Sequence, residues 1–240
     1  MSKEFRSTKS LGLITGILLL AGIGFDALTF LLGLIQRSYF SGIWTQDQER
    51  QFTEAETIFV LLYLLILVLG FIVFISTAGF FLAWIKRSYQ NLSAFNVQAL
   101  STTPGWAVGY WFIPILSFYY PLRIVNEIYH GSRTNIGNEK ARISDTSTPL
   151  IHGFWWALWL ICGVGGNITF RISMSSENAS MIEFAETLDL ILLPVWMICG
   201  WLAYMIVKNI TRFQDDAGSG LSGTGPPAPP AFGEFHNGSI

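Results

Sequence analysis

The chain has 240 residues, of which 51% are hydrophobic and only 12% charged; its net charge is −2 and its mean hydropathy +0.46. Soluble domains carry about 25% charged residues, so the composition excludes a water-solvated globule, and the charge balance excludes the basic footprint of a nucleic-acid binder. The expectation is an all-α fold, an integral membrane helical bundle with the lipid bilayer as its first partner.

A helix needs about 20 apolar residues to cross ~30 Å of hydrocarbon. Leu11–Ile35 is the first such run, after a short N-terminal stretch, residues 1–10, that carries Lys3, Arg6 and Lys9. It is longer than the apolar region of a signal peptide and lacks an A-x-A cleavage pattern, so it reads as an uncleaved span. Its one charge is Asp26, roughly 22 Å along the helix from Leu11 at ~1.5 Å per residue. An ionised acid is costly in lipid. Asp26 is therefore a candidate for cation or proton handling; the plainer alternative is an acid facing the bundle and bonded to Asn167. Gly12 and Gly16 form a weak G-x-x-x-G helix-contact pattern.

Ile58–Ile85 is the second span and carries no charge. Thr53 and Glu56 ahead of it have the form of a capping box. Beyond it Ile85, Tyr89, Leu92, Phe95 and Ala99 recur on one face of a continuing helix, which either packs at the interface or docks a soluble partner. Lys86 and Arg87 stand where long side chains reach lipid phosphates.

Gly105–Tyr120 is apolar and aromatic but short for a span, and Pro104, Pro114 and Pro121 punctuate it. Thr103 or its neighbours can cap a helix with Pro104 in its first turn. Gly109, like Gly105, allows a neighbouring helix to come close. Trp106, Tyr110 and Trp111 suit the membrane–water interface, and Pro114 ends the helix about ten residues in. Segment 104–121 is thus expected to be a Pro-broken helix, re-entrant or interfacial. At membrane depth such backbone must be buried by protein or line a wet cavity.

Leu150–Phe170 is the third span, with His152 a polar anchor near its start. Leu190–Val207, containing Pro194, is the fourth, and Ser180 with Glu183 again resembles a capping box. Cys162 and Cys199 read as small buried hydrophobes. The membrane domain covers residues 11–214. From Asp215 the composition turns to Gly, Ser and Pro, and residues 215–240 read as a disordered tail.

Positive residues concentrate in cytoplasmic loops. With four spans, Lys3, Arg6, Lys9, Lys86, Arg87, Arg123, Arg133, Lys140, Arg142, Lys208 and Arg212 share one side, and Arg37, Arg50 and Arg171 the other. A fifth span across 104–121 would place most of the basic residues outside. Four spans with both termini cytoplasmic is therefore the expected topology.

The run TPGWAVGYWFIP, then Pro121 and Glu127-Ile128-Tyr129, resembles the signature of a bacterial membrane family known as domain of unknown function 4328. The resemblance extends upstream through Trp84, Arg87, Tyr89, Asn91 and Leu92, and downstream to Trp155, Trp156 and Trp159. It covers roughly Ile58 to Val207. The family pattern has Ser, Trp and Asn where this chain has Thr103, Tyr110 and Ser117. The resemblance implies a bacterial multi-span protein and no particular activity; the expected location is the bacterial inner membrane.

No HExxH, Walker-type loop, GxSxG or dinucleotide fingerprint occurs, so no enzyme, cofactor or metal is expected. Two readings follow. One is a non-catalytic scaffold, accessory or membrane-sensing protein working through its cytoplasmic face, with a protein partner or a second copy of itself. The other is a small transporter or channel-like protein with Asp26 and the broken central helix as its polar path.

Overall fold

A computed structural model describes residues 4–40, 53–134 and 148–223. They form six helices: α1 (Lys9–Phe40), α2 (Glu54–Ala94), α3 (Trp106–Gly109), α4 (Tyr120–Thr134), α5 (Leu150–Ser175) and α6 (Ala179–Gly223), with a 3-10 turn at Leu116–Phe118. No strand occurs among the described residues. α1, α2, α5 and α6 are long and apolar enough to cross a membrane, and each contains one of the four apolar runs. α1 packs on α6 and α2, α5 packs on α6, and α4 wedges against α6, α2 and α5. The protein is an all-α membrane bundle with four such helices.

Large apolar side chains face outward along much of each long helix. On α2 the exposed run extends from Ile58 to Phe80, roughly 33 Å at ~1.5 Å per residue, which matches a hydrocarbon core of about 30 Å. Leu13 to Ile35 on α1 covers a similar length. Inside this lipid band the helices meet along narrow seams built on glycine. A Cβ on Gly16 would meet the Tyr204 ring at 3.3 Å, on Gly33 Leu190 at 3.0 Å, on Gly165 Leu192 at 2.7 Å and on Gly200 Ile23 at 3.1 Å. Lipid is as apolar as leucine, so close packing holds helices together where the hydrophobic effect cannot. Gly12 and Gly16 are used within the chain, on the α1–α6 seam.

The helix ends sharpen several expectations. Thr53 completes its capping box, with Glu56 N donating to Thr53 Oγ1 (3.3 Å) and Thr53 N to Glu56 Oε2 (2.7 Å). The Ser180–Glu183 box does not form. α6 starts at Ala179, so Asn178 holds the cap position and its Oδ1 accepts from Ser180 N at 3.0 Å. α2 continues to Ala94 and buries Ile85, Tyr89, Leu92 and Phe95, as their spacing requires. Ala99 does not share that face: it lies past the helix end with φ 61° and is exposed. The face is covered by α4 and α6, which removes it as a free docking surface.

α6 also runs past the expected start of the tail. Asp215 accepts from Ser7 Oγ at 3.1 Å, Ala217 and Gly218 are buried, and the helix reaches Gly223. The apolar environment of the Phe5 ring against Gly218 offsets the poor helix propensity of this stretch. Residues 224–240 of the expected tail lie outside the described residues, as do Lys3, Arg50, Lys140 and Arg142 of the expected topology.

Candidate functional site

The tightest packing lies beyond the lipid band, at the end where the chain begins. Gly12 of α1 abuts Thr211 of α6, and Thr211 Oγ1 accepts from Trp84 Nε1 of α2 at 3.0 Å, which sets three helices at one level. On α1, α2, α6 and the stretch ahead of α4 the exposed large apolar residues stop there, whereas α5 opens with Leu150 and Phe154 exposed. On α1 they start at Leu13, after Lys9. On α2 they end at Phe80, before Lys86 and Arg87. On α6 they end at Met205, before Lys208 and Arg212, and ahead of α4 at Tyr119, before Arg123. These six basic residues form a belt. Lys208 lies over the Tyr204 ring (5.7 Å) and Arg212 over Phe213 (5.5 Å). Arg123 alone of the six has a carboxylate partner among the described residues.

Below the belt α2, α4, α6 and residues 4–8 close into a cap with an aromatic and aliphatic core: Trp84, Tyr89, Leu92, Phe95, Ile124, Ile128 and Ile210 are all buried. Two polar networks lace it. In the first, Asn91 clasps the backbone of Arg6, accepting from its N (3.1 Å) and donating to its O (2.8 Å). Asn91 also donates to Gln214 Oε1 at 3.0 Å, and Gln214 Nε2 donates to Ser88 O (2.9 Å) and Ser132 Oγ (3.0 Å). Three helices and the N-terminal segment thus meet at two buried amides, where an unpaired group would cost about 1–3 kcal/mol. Phe5 stacks on Phe95 at 5.5 Å and seals the segment in place.

The second network centres on Glu127, 4% exposed. Its Oε2 accepts from Tyr89 Oη (2.7 Å) and Ser101 N (3.3 Å), and its Oε1 from Arg123 Nε (3.1 Å). Thr102 N donates to Tyr89 Oη at 3.3 Å. Glu127 therefore pins the turn after α2 to α4. Burial opposes the charge on Arg123, but the hydrogen bond and charge of Glu127 outweigh it and hold its pKa above the ordinary value.

Between the turn and α4 the chain reaches back toward the lipid band. Trp111 packs edge-on against Phe81 (5.5 Å), Trp156 (6.0 Å) and Trp159 (5.9 Å). Tyr110 then stacks on Tyr120 at 4.1 Å, so the segment folds on itself. The expected ten-residue helix is one turn only, Trp106–Gly109. Pro114 does not end it; the helix has stopped five residues earlier, where the Trp106–Tyr110 and Tyr110–Tyr120 stacks take over. Gly109 makes room for the Trp106 ring (3.1 Å from a built Cβ), not for a neighbouring helix. Pro104 is half-buried and Pro114 exposed, while Pro121 is buried in the first turn of α4, the place where a missing N–H costs least.

The other sequence candidates separate. Asn91 and Glu127 are buried hubs of the cap, one in each network. Arg87 lies on the belt, half-buried and without an ion pair among the described residues. Asp26 is half-buried in α1 and makes no hydrogen bond among the described residues. Asn167 does not bond it; its Oδ1 accepts from Arg171 Nε of its own helix at 2.9 Å. His152 is buried against Asn126 and edge-on to Tyr129, the anchor its position suggested. Cys162 and Cys199 are free and buried.

A cleft of about 370 Å³ opens between α5 and the turn at Leu116–Phe118, lined by Ser117, Phe118, Trp159, Gly163, Asn167 and neighbouring aliphatics. Ser117 and Asn167 share it, but Asp26 does not line it. Sequence reading missed Gln214, Thr211 and Ser132. The first two continue the α6 periodicity of Ala203, Val207 and Ile210, so extending that face beyond the apolar run would have found them.

Against known proteins, the model of one family, described as Domain of unknown function (DUF4328), matches residues 48–212. No curated protein and no solved structure matches the chain. The matched residues contain Glu127, Asn91 and the aromatic segment; Arg6 and Gln214 lie outside them.

Proposed function

Since the chain belongs to the DUF4328 family, whose description assigns no activity, we propose from its geometry that it is a non-catalytic scaffold, accessory or membrane-sensing protein of the bacterial inner membrane. Its working surface is the basic belt and the cap beneath it. The observation that carries this reading is the coincidence of levels: the lipid-facing surface ends on four elements where Lys9, Lys86, Arg87, Arg123, Lys208 and Arg212 begin. Basic belts mark the cytoplasmic side, so both termini and the cap face the cytoplasm. Segment 104–121 is re-entrant in this reading. It leaves the cap, packs among Phe81, Trp156 and Trp159, and comes back at Tyr120. A cap held by buried amides and a buried carboxylate is a rigid platform, suited to holding a partner or reporting on the bilayer.

The transport alternative draws support from the cleft shared by Ser117 and Asn167. It lacks a polar path, because Asp26 lies apart from that cleft. Two measurements test the reading. Arg133→Cys, exposed at the end of α4, should react with an impermeant thiol reagent only from the cytoplasm, and Glu177→Cys only from the opposite side. Labelling of Arg133→Cys from outside alone would overturn the re-entrant path. Proton or cation flux in proteoliposomes that is present in the wild type and lost in Asp26→Asn would replace the scaffold by the transporter.

A further inference from the structure

The basic residues of the belt are not equivalent, and their placement on the helices separates them. Arg123 is held by Glu127 (Nε to Oε1, 3.1 Å), so its charge is met within the protein. Lys86 and Arg87 are adjacent in α2, and neighbouring side chains on a helix diverge by about 100°. Lys9 has no basic neighbour in the next two turns of α1. Lys208 and Arg212 differ. They stand at i and i+4 on α6, both exposed, where side chains lie about 5–6 Å apart at Cβ and like charges repel. Neither has a carboxylate within ion-pair distance among the described residues. Asp216, one turn beyond Arg212, forms no ion pair with it, and Asp215 accepts from Ser7 Oγ (3.1 Å). Relief of this like-charge pair is left to an anion from outside the chain.

The rest of the same face selects the carrier of that anion. Trp201, Met205, Lys208 and Arg212 fall at i, i+4, i+7 and i+11, one stripe of the helix. Its first half faces lipid, with Trp201 50% and Met205 37% exposed, and the cations begin one turn on. The Tyr204 ring borders the stripe. It sits on Gly16 of α1, 3.3 Å from a built Cβ, tilts against Trp201 at 5.5 Å and lies under the Lys208 ammonium at 5.7 Å. The Arg212 guanidinium lies over Phe213 (5.5 Å), whose ring packs edge-on to Tyr129 of α4 at 5.7 Å. Rings placed this way hold both cationic heads by their quadrupoles and carry no charge to neutralise them. A phospholipid along the stripe lays its acyl chains on Trp201 and Met205 and its phosphate against the two cations, whereas a soluble phosphate would leave the apolar half unused. A zwitterionic headgroup brings its own cation to a doubly basic site; an anionic one does not. We infer that the Lys208–Arg212 face of α6 binds the headgroup of one anionic phospholipid. The inference rests on the level at which the lipid band ends on α6, and not on the scaffold reading or on which side of the bilayer the belt faces.

Both side chains are exposed, so substituting them leaves the packing intact. The full chain is reconstituted in nanodiscs of mixed phosphatidylglycerol and phosphatidylcholine, extracted into mild detergent and weighed by native mass spectrometry. The wild type should retain phosphatidylglycerol in preference to phosphatidylcholine. Lys208→Gln and Arg212→Gln should each lower the retained phosphatidylglycerol about fivefold, and the two together about twentyfold, the effect of one basic residue near a bilayer surface taken once and twice. The exchange Lys208→Arg with Arg212→Lys keeps both charges and should hold retention within about twofold. Lys86→Gln with Arg87→Gln removes the same charge from the same belt, and should also change it by less than about twofold. An equal loss in that second pair would assign retention to the belt at large. Equal retention of both lipids, or undiminished phosphatidylglycerol in the double variant, would leave no such site. An adduct of inorganic phosphate in place of lipid would make it a site for a solute. Each of these results overturns the inference.

Discussion

The same long helices behave as two different proteins above and below the basic belt. Above it they touch along glycine seams and turn Leu, Ile and Phe outward; buried side chains there are few, such as Ile66, Cys162, Thr169 and Leu192. Below it α2 and α6 are closed in by α4 and the N-terminal segment around Trp84, Tyr89 and Ile210, with Asn91, Gln214 and Glu127 bonded inside. The difference is one of solvent. In water, burying apolar surface drives packing, and a cap must build a core. In lipid that drive is absent and only close fit remains. Stability should therefore be concentrated in the cap, and single substitutions can break or sharpen that division.

The largest effect belongs to Trp84→Ala. It empties a fully buried site that ties α2 to α6 and leaves Thr211 without its donor, at a cost of about 3–5 kcal/mol. Reversible unfolding in detergent should read this as a marked fall in midpoint. Asn91→Ala should come next, at about 2–3 kcal/mol, because Gln214 and the Arg6 backbone lose partners they cannot replace. It should also free the N-terminal segment, seen as faster amide exchange at Arg6. Glu127→Gln keeps an acceptor for Tyr89 but discards the charge facing Arg123, and about 1 kcal/mol is expected by the same unfolding measurement. Leu64→Ala, on the outward face of α2, should shift stability by no more than ~0.5 kcal/mol. If Leu64→Ala costs as much as Trp84→Ala, the division between a lipid-solvated half and a water-solvated core is wrong.

The broken segment shows where a local pattern stops being sufficient. Pro114 marks a break, and a break exists, but its position is set by aromatic rings. Trp106, Tyr110 and Tyr120 stack in series, and Trp111 enters the Phe81–Trp156–Trp159 cluster. No single window of sequence contains those partners. Asn178 displacing Ser180 as a cap is a smaller case of the same kind, a shift of two residues at a helix start, where boundaries are least constrained.

The four spans could be read directly, because a bilayer demands about 20 consecutive apolar residues and that demand is local. The belt was also present in the order of Lys and Arg along the chain. The continuation of α2 was visible to Phe95 because helical periodicity repeats within a few residues. The cap was not legible. Asn91 and Gln214 are 123 residues apart, Gln214 and Ser132 are 82 apart, and Arg6 meets Asn91 across 85. A polar residue inside an otherwise ordinary helix gives no sign of its partner until the chain has closed. Apolar length is a property of a segment; satisfaction of a buried amide is a property of the assembled fold.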